Sequence, residues 1–469
     1  MVVLGGGTGG YSTALRAAGL GMSVALVERD LVGGTCLHRG CVPSKALLHA
    51  ALIMEGIEDG ERRWGIKATV GAVDAAALGA TRDEIVDKNY KGLLSHLRQE
   101  RVSVFEGSGR VTSARSVLVT PVERGALGAP AELRARRGLV IATGSVPREL
   151  PGLASDGGRV VTSDEATRTD SIPRSVIVVG AGALGVEFAS FYRAFGADVT
   201  LVEALERVLP SEDPDVSREM ARALRRKGVT VLAGARVEDA DVGDEAVVVT
   251  VKDASGTRKI SAELFLTAVG RAPVSDGIGL EEIGVKRERG FVVPADWARL
   301  ETHAAGVHVV GDLLPPPSLC LAHASFAEGL LVAEVLAGQA PAPVRYEGVV
   351  RATYSLPEAA SVGLSEPEAR ERGMDVVVNR FPINGVAKGL IYGQGGMVKV
   401  VAEKGGPVLG IHMVGPHVTD LASEAMLITN WEALPLEVAE LVHPHPSLSE
   451  ALGEAHLTLA GRRLHQVSL

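Results

Sequence analysis

The stretch "GGTCLHRGCVPSK", residues 33–45, holds Cys36 and Cys41, two of only three cysteines among 469 residues. Two thiols at this spacing can form a redox dithiol/disulfide, can be part of a metal site, or can be unrelated core residues. A Cys-x4-Cys spacing does not suit the usual zinc loops, and no second Cys or Cys/His pair of ligand spacing occurs elsewhere in the chain. Cysteine is often simply a small core side chain, so that reading stays open beside the redox one. Five residues along a regular helix rise about 7.5 Å, beyond the Cα separation of roughly 4.4–6.8 Å that a disulfide tolerates. A bonded pair therefore cannot share one regular helix. Gly40 can bend the chain between them, and Pro43 suits a first helical turn. Cys41 then sits at the N-terminus of "VPSKALLHAALIM", where the helix dipole favours a thiolate. Lys45 follows one turn later on the same face and adds positive charge.

A second constellation lies near the other end, in "HPHPSLSE", residues 443–450. His445 with a nearby carboxylate, Glu450, can move protons to and from thiols near neutral pH. The same Glu450 fits a helix capping box, Ser447-x-x-Glu450. His443 reads as structural, and Cys320 as a buried, inert thiol.

These groups need a scaffold, and the glycines supply its outline. "VVLGGGTGG" gives a short strand and then Gly5-x-Gly7-x-x-Gly10, followed by a helical stretch and the strand "VALVE" ending at Glu28. "VIVVGAGALG" repeats the scheme as Gly180-x-Gly182-x-x-Gly185, with "VTLVE" ending at Glu203; the offset is 175 throughout. One such motif among 56 glycines would be weak evidence, but two in the same strand–glycines–helix–strand–Glu setting define two dinucleotide sites. In each, the first glycine makes the turn, the second admits a pyrophosphate, and the third lets helix and strand pack. Glu28 and Glu203 would accept hydrogen bonds from ribose hydroxyls. A carboxylate at 203 repels a 2′-phosphate, so the second site should prefer NAD to NADP.

Strands "LVIATGSVP" and "LFLTAVGRAP" close the two units, and "GVHVVGDLL" delivers Asp312 to a strand's carboxyl end, where ligands of open α/β sheets bind. The Pro-rich "AGQAPAPVRYEG" reads as a linker into a C-terminal α+β domain containing strands "MVKVVAE" and "VLGIHMVG". A chain this long exceeds a single-core domain. The net charge of −9 argues against a nucleic-acid partner. No run of 18 uncharged apolar residues is present, so no membrane span is expected. The opening "MVVLGGGTGG" has no basic leader, and three cysteines cannot build a secreted disulfide framework; a cytoplasmic location is expected. No metal is expected.

"GGTCLHRGCVPSK" resembles the redox segment of the flavoprotein disulfide reductases. "ATGS", "AVGRAP", "GDL", "LAH", "YSLPEAASVGLSE" and "HPHPSLSEALGEA" extend the resemblance over essentially the whole chain. Within that family it is most similar to the members that oxidise dihydrolipoamide for 2-oxoacid dehydrogenase complexes. The resemblance implies two Rossmann-like domains, for FAD and NAD, plus a C-terminal α+β dimerisation domain. Expected boundaries are 1–147 and 274–344 for the FAD-binding and central parts, 148–273 for the NAD-binding domain, and 345–469 for the dimerisation domain. It implies a redox disulfide in which Cys36 exchanges with substrate and Cys41 lies against the flavin, with Lys45 and Glu187 beside the flavin. It makes His445 the base and Glu450 its orienter, acting across a homodimer so that each active site is shared between chains. FAD would be held by Gly5, Gly7, Gly10, Glu28, Gly34, Thr35, Lys45, Gly109, Thr143, Gly144, Asp312 and Ala322. NAD would be held by Gly180, Gly182, Gly185, Glu187, Glu203, Val237 and Gly270. The implied partner is the lipoyl-bearing acyltransferase of such a complex. His38 stands where Asn is frequent, Val386 replaces a frequent arginine, and the lysine usual after "LAH" is missing. Rival activities are glutathione reduction, opposed by Glu203, and mercuric reduction, opposed by the cysteine-free "GRRLHQVSL" ending. Quinone reduction, or service mainly as an assembly's binding core, are further alternatives.

Overall fold

Short apolar runs ending in glycine become parallel strands in the computed structural model, which describes residues 1–68, 70–123 and 125–466. Val2–Leu4 pairs in parallel with Ala25–Glu28 on one side and Leu139–Ile141 on the other. The full sheet runs Val307–Val309, Leu139–Ile141, Val2–Leu4, Ala25–Glu28, Ser103–Ser113, Ser116–Pro121, Ala131–Arg134. The first five are parallel, and Ser103–Ser113 then continues into an antiparallel meander with the last two. Val2, Val3, Leu4, Val140, Ile141, Val307 and Val309 are all buried, as expected of parallel strands covered on both faces. Each such side chain stabilises the fold by about 1.5–3 kcal/mol.

Helix Thr8–Gly19 packs against helix Ala322–Leu336. Small residues permit this: a side chain at Gly329 would meet Ser12 Oγ at 2.3 Å and the Gly9 carbonyl at 2.8 Å.

The repeat seen in the glycines persists in the topology. A second parallel sheet runs Val160–Thr162, Leu264–Thr267, Ser175–Val179, Asp198–Glu203, Thr230–Ala233. Here too an antiparallel meander follows, Arg236–Val242, Val247–Asp253 and Gly256–Ala262, before the chain re-enters the sheet. The C-terminal part is an antiparallel sheet, Arg351–Thr353, Glu358–Gly363, Val408–Gly415, Met397–Glu403, Val376–Pro382. Helices Val418–Asn430 and Glu450–Leu459 share its core. One buried residue in that sheet is charged. Lys399 Nζ donates to both Asp213 oxygens at 2.9 Å and to Asp215 at 2.7 Å, and pairs with Glu366 at 2.9 Å. Asp213 also caps helix Pro214–Arg226 by accepting from the Asp215 N–H.

By contacts, one unit comprises Met1–Ala46, Ala76–Arg148 and Arg271–Tyr346. The other comprises Leu47–Ala75, Glu149–Gly270 and Glu347–Leu469. Among the described residues, no helix is long and apolar enough to cross a membrane.

Candidate active site

In the first unit the redox segment is built directly on the first glycine loop. Gly33 donates its N–H to the Gly6 carbonyl at 2.8 Å. Gly34 has a left-handed φ of +59° and lies so close to the loop that a side chain would approach Gly7 Cα to 2.7 Å. Cys36 lies on the short helix Gly34–His38, and Cys41 opens the separate helix Cys41–Trp64. The break expected at Gly40 is there, with the Thr35 carbonyl 3.0 Å from where a Cβ would be. His38 Nε2 meets the Val32 carbonyl at 2.9 Å, its ring stands edge-on to Tyr90, and Arg39 pairs with Asp30.

Both cysteines are thiols in this structure. The hydrogen bond shared with Cys41, then burial, push the Cys36 thiol up, while the Lys45 charge pulls the other way. Cys41 stands at the positive end of a long helix, the position that favours a thiolate. Burial pushes Tyr11 up to about 12, aided by the two sulfurs.

The two glycine fingerprints match atom for atom. At Gly5 and Gly180, φ is +105° and +99°, and a Cβ would lie 2.2 and 2.4 Å from the Ala142 and Ala268 carbonyls. At Gly10 and Gly185 it would lie 1.8 and 1.7 Å from the carbonyls of Gly5 and Gly180. At Gly7 and Gly182 it would meet nothing within 4 Å. The outer glycines are thus demanded by the turn, and the middle one faces open space above a helix N-terminus without a side-chain cap. That cradle fits a pyrophosphate. Glu28 accepts from Gly6 and Asp30 N–H at 2.6 and 2.8 Å; Glu203 accepts from Ala181 and Leu205 N–H at the same distances.

Asp312 follows strand Val307–Val309 and accepts from Ser145 Oγ at 2.5 Å; Ser145 Oγ in turn accepts from Arg271 Nε at 2.8 Å. The turn before Asp312 is held by Glu328, which accepts from the Gly311 N–H, Ser318 and Tyr346 at 2.7, 2.9 and 3.0 Å. Burial pushes the Glu328 carboxyl up. The sequence alone does not single out Ser145, Arg271 or Glu328. The first two lie in "ATGS" and "AVGRAP", which read only as strand-ending turns.

The remaining first-unit candidates are placed as follows. Gly144 is left-handed at +70°, and Thr143 Oγ1 donates to the Val274 carbonyl at 2.6 Å. Thr35 lies beside Cys36, and Ala322 opens helix Ala322–Leu336. Gly109 sits in strand Ser103–Ser113, where a Cβ would meet Leu4 Cδ1 at 2.4 Å. Cys320, expected to be buried, is exposed, in a left-handed turn at φ 51° ahead of helix Ala322–Leu336. Its thiol is nevertheless shielded enough that burial pushes it up to about 12.

In the second unit Glu187 is buried and accepts from the Tyr354 N–H at 2.9 Å. Val237 lies in strand Arg236–Val242, and Gly270 is left-handed at +104° with open space beside it. His445 and Glu450 meet: Nδ1 and Oε1 are 2.7 Å apart, with the ring 71% and the carboxylate 17% exposed. Glu450 Oε2 accepts from the Ser447 N–H at 2.8 Å, and the Glu450 N–H reaches Ser447 Oγ at 3.4 Å. The carboxylate therefore holds the imidazole with one oxygen and the Ser447 N–H with the other, just ahead of a helix whose N-cap, Ser449, makes no side-chain cap. Burial works against its charge, but the Ser447 N–H and His445 prevail and hold it below the usual carboxylate range. His443 pairs instead with Glu424 at 2.8 Å, which pushes it up.

Two dinucleotide folds, a vicinal thiol pair on one of them and an exposed His–Glu pair define a nucleotide-dependent thiol oxidoreductase. The chain belongs to the pyridine nucleotide-disulphide oxidoreductase family. Residues 1–329 match the family's main domain and 349–456 its dimerisation domain. It is 39% identical to dihydrolipoyl dehydrogenase of Bacillus subtilis strain 168, covering 99% of this chain and 98% of that one. It is 36% identical to the dihydrolipoyl dehydrogenase of Zymomonas mobilis over the same shares. Among solved structures, LpdA of Mycobacterium tuberculosis superposes with a TM-score of 0.87 at 25% identity, covering 98% of this chain and 99% of that one. The HOCl-induced flavoprotein disulfide reductase RclA of Escherichia coli, in its Cu(II) complex, gives 0.84 at 24%, covering 97% and 98%.

Proposed function

We propose that the protein oxidises protein-bound dihydrolipoamide to lipoamide with NAD+ as final acceptor, as the flavoprotein component of a 2-oxoacid dehydrogenase complex. The observation that carries this reading is the His445–Glu450 pair. Glu450 occupies Nδ1 at 2.7 Å and leaves Nε2 on an exposed ring, the arrangement a base needs to take a proton from an incoming thiol. The full-length identity to dihydrolipoyl dehydrogenases supports it.

His445 takes a proton from one thiol of dihydrolipoamide. The resulting thiolate attacks Cys36 in the oxidised Cys36–Cys41 pair, breaking the S–S bond and releasing Cys41 as a thiolate. The helix N-terminus and Lys45 steady that charge. The second substrate thiol then attacks the substrate sulfur of the mixed disulfide, its proton passing to the departing Cys36 sulfur, which releases lipoamide and the Cys36 thiol. The first cradle, with Gly5, Gly7, Gly10, Glu28 and Asp312, would hold FAD, and the second, with Gly180, Gly182, Gly185 and Glu203, would hold NAD. FAD, when bound, carries the electron pair from the dithiol to NAD+. In a homodimer, the His445–Glu450 pair of one chain would serve the cysteines of the other. The partner that delivers substrate would be a lipoyl-bearing acyltransferase.

The test is the rate of nucleotide reduction by free dihydrolipoamide, compared with reduced glutathione, and with NAD+ compared with NADP+. Dihydrolipoamide with NAD+ should dominate by orders of magnitude. Preference for glutathione or NADP+, or activity only with quinones or mercuric ion, would overturn the reading.

A further inference from the structure

Helix Ala322–Leu336 touches two parts of the first dinucleotide site with adjacent residues. Gly329 lies on helix Thr8–Gly19, whose N-terminus forms the glycine cradle; a Cβ at Gly329 would come within 2.3 Å of Ser12 Oγ and 2.8 Å of the Gly9 carbonyl. The same two helices are joined by the Phe326 and Tyr11 rings, 5.8 Å apart, and by Glu334 and Arg16 at 2.6 Å. Glu328 is turned about 100° round the helix from Gly329 and faces the turn that carries Asp312.

The Glu328 side chain is fully buried, and both of its oxygens are engaged. Oε2 accepts the Gly311 N–H at 2.7 Å, and Oε1 accepts from Ser318 Oγ at 2.9 Å and from Tyr346 Oη at 3.0 Å. Gly311 is itself buried and left-handed at φ +78°, so its N–H depends on that carboxylate for a partner. A Cβ at Gly311 would lie 3.5 Å from Ser325 Oγ, one turn before Glu328. On its other side the turn rests on the cradle helix. A Cβ at Gly9 would meet Val310 Cγ2 at 2.9 Å and lie 3.6 Å from the Gly311 nitrogen. Asp312 follows directly and accepts from Ser145 Oγ at 2.5 Å.

We propose that Glu328 is a positioning residue of the flavin site, which fixes Asp312 at a set distance from the glycine cradle so that one FAD molecule reaches both. The inference rests on the reading that this cradle and Asp312 hold FAD. The pyrophosphate and the sugar chain of FAD are joined covalently, so two contacts on one molecule reinforce each other only where the protein holds their spacing beforehand. Helix Ala322–Leu336 acts as the ruler: Gly329 seats it on the cradle helix, and Glu328 ties it to the Gly311 turn. What matters at position 328 is reach. An acceptor one methylene shorter leaves the Gly311 N–H unpaired and frees the turn, whereas an uncharged acceptor of the same length does not.

The experiment is FAD release from the holoenzyme on serial dilution, read by the fluorescence of free flavin. It compares wild type, Glu328→Asp, Glu328→Gln, Asp312→Asn and the Glu328→Asp/Asp312→Asn double variant. Glu328→Asp keeps the charge but not the reach, and should weaken FAD binding about tenfold or more, the worth of one hydrogen bond to a charged group. Glu328→Gln keeps an acceptor for the Gly311 N–H, and the Ser318 and Tyr346 hydroxyls can turn to accept from its amide. Its FAD affinity should stay within a few-fold of wild type. With Asp312→Asn already present, Glu328→Asp should add little, because the contact it positions is gone. Equal losses in Glu328→Asp and Glu328→Gln, or losses that multiply in the double variant, overturn the inference and leave Glu328 a stabiliser of the fold. If Glu328→Asp does not fold, Glu328→Gln decides, and a tenfold loss of FAD affinity there overturns the inference. Asp312→Asn separates the two readings. FAD binding unchanged in that variant refutes the place of Asp312 in the flavin site; binding weakened there but not in Glu328→Asp refutes only the positioning role.

Discussion

Alanine at Gly182 and at Gly185 should produce opposite failures, one of binding and one of folding. At Gly185 the new methyl would lie 1.7 Å from the Gly180 carbonyl oxygen and 3.5 Å from Ala268 Cβ. Relief requires the helix to move off the strand by more than an ångström, at a cost of about 1–3 kcal/mol or more. At Gly182 φ is −70° and no atom lies within 4 Å of the added methyl. Losing an N-cap glycine there costs about 1 kcal/mol at most. The methyl instead fills the space through which a pyrophosphate approaches the backbone. Losing one hydrogen bond to a charged oxygen is worth about 1.5–3 kcal/mol, or roughly 10- to 150-fold in affinity. The assay pairs thermal unfolding with the KM for NADH in dye reduction. Gly182→Ala should keep its melting temperature within a few degrees and raise KM at least about tenfold. Gly185→Ala should lose several degrees. Wild-type KM in Gly182→Ala would refute the assignment of that glycine to the phosphate cradle.

Three further outcomes follow from the geometry. Cys36→Ser or Cys41→Ser should abolish dihydrolipoamide oxidation, since exchange needs both sulfurs; NADH–dye activity should survive, and its loss would contradict the scheme. Lys399→Ala leaves the buried Asp213 without its cation, while Asp215 keeps Arg380 and Arg218, and should cost about 3–5 kcal/mol, read as a lowered denaturation midpoint. His456 is fully buried and held neutral, its folded pKa depressed by burial from 6.5 to about 4. The unfolded chain binds that proton first, so the contribution is present above pH 6.5 and lost as pH falls through about 4. It amounts to about 3 kcal/mol, and His456→Leu should flatten the stability–pH curve across that window.

The repeating frame was legible because spacing alone encodes it: the glycines and terminal glutamates 175 apart fold into superimposable hydrogen-bond patterns. The break between the cysteines was legible from helix rise and Gly40. Glu450 had two readings from spacing, and its two oxygens make a contact belonging to each, one with His445 and one with the Ser447 N–H. What stayed hidden depends on long-range contact. Ser145 and Arg271 are 126 positions apart, and only the fold joins them to Asp312. His465 meets Glu454, 11 residues earlier, through a tail whose course no local pattern states. Cys320 was misplaced because cysteine is usually a core residue, whereas here a left-handed turn carries it to the surface.

The central claim is that His445 is the proton acceptor for a dithiol substrate. It is tested most directly by comparing His445→Gln with wild type for dihydrolipoamide-driven NAD+ reduction, with NADH–dye reduction measured on the same samples. General acid–base catalysis is worth roughly 10²–10⁴-fold, so lipoamide turnover should fall by that factor while dye reduction stays near wild type. Turnover within a few-fold of wild type, or a parallel fall in both activities, would contradict the account.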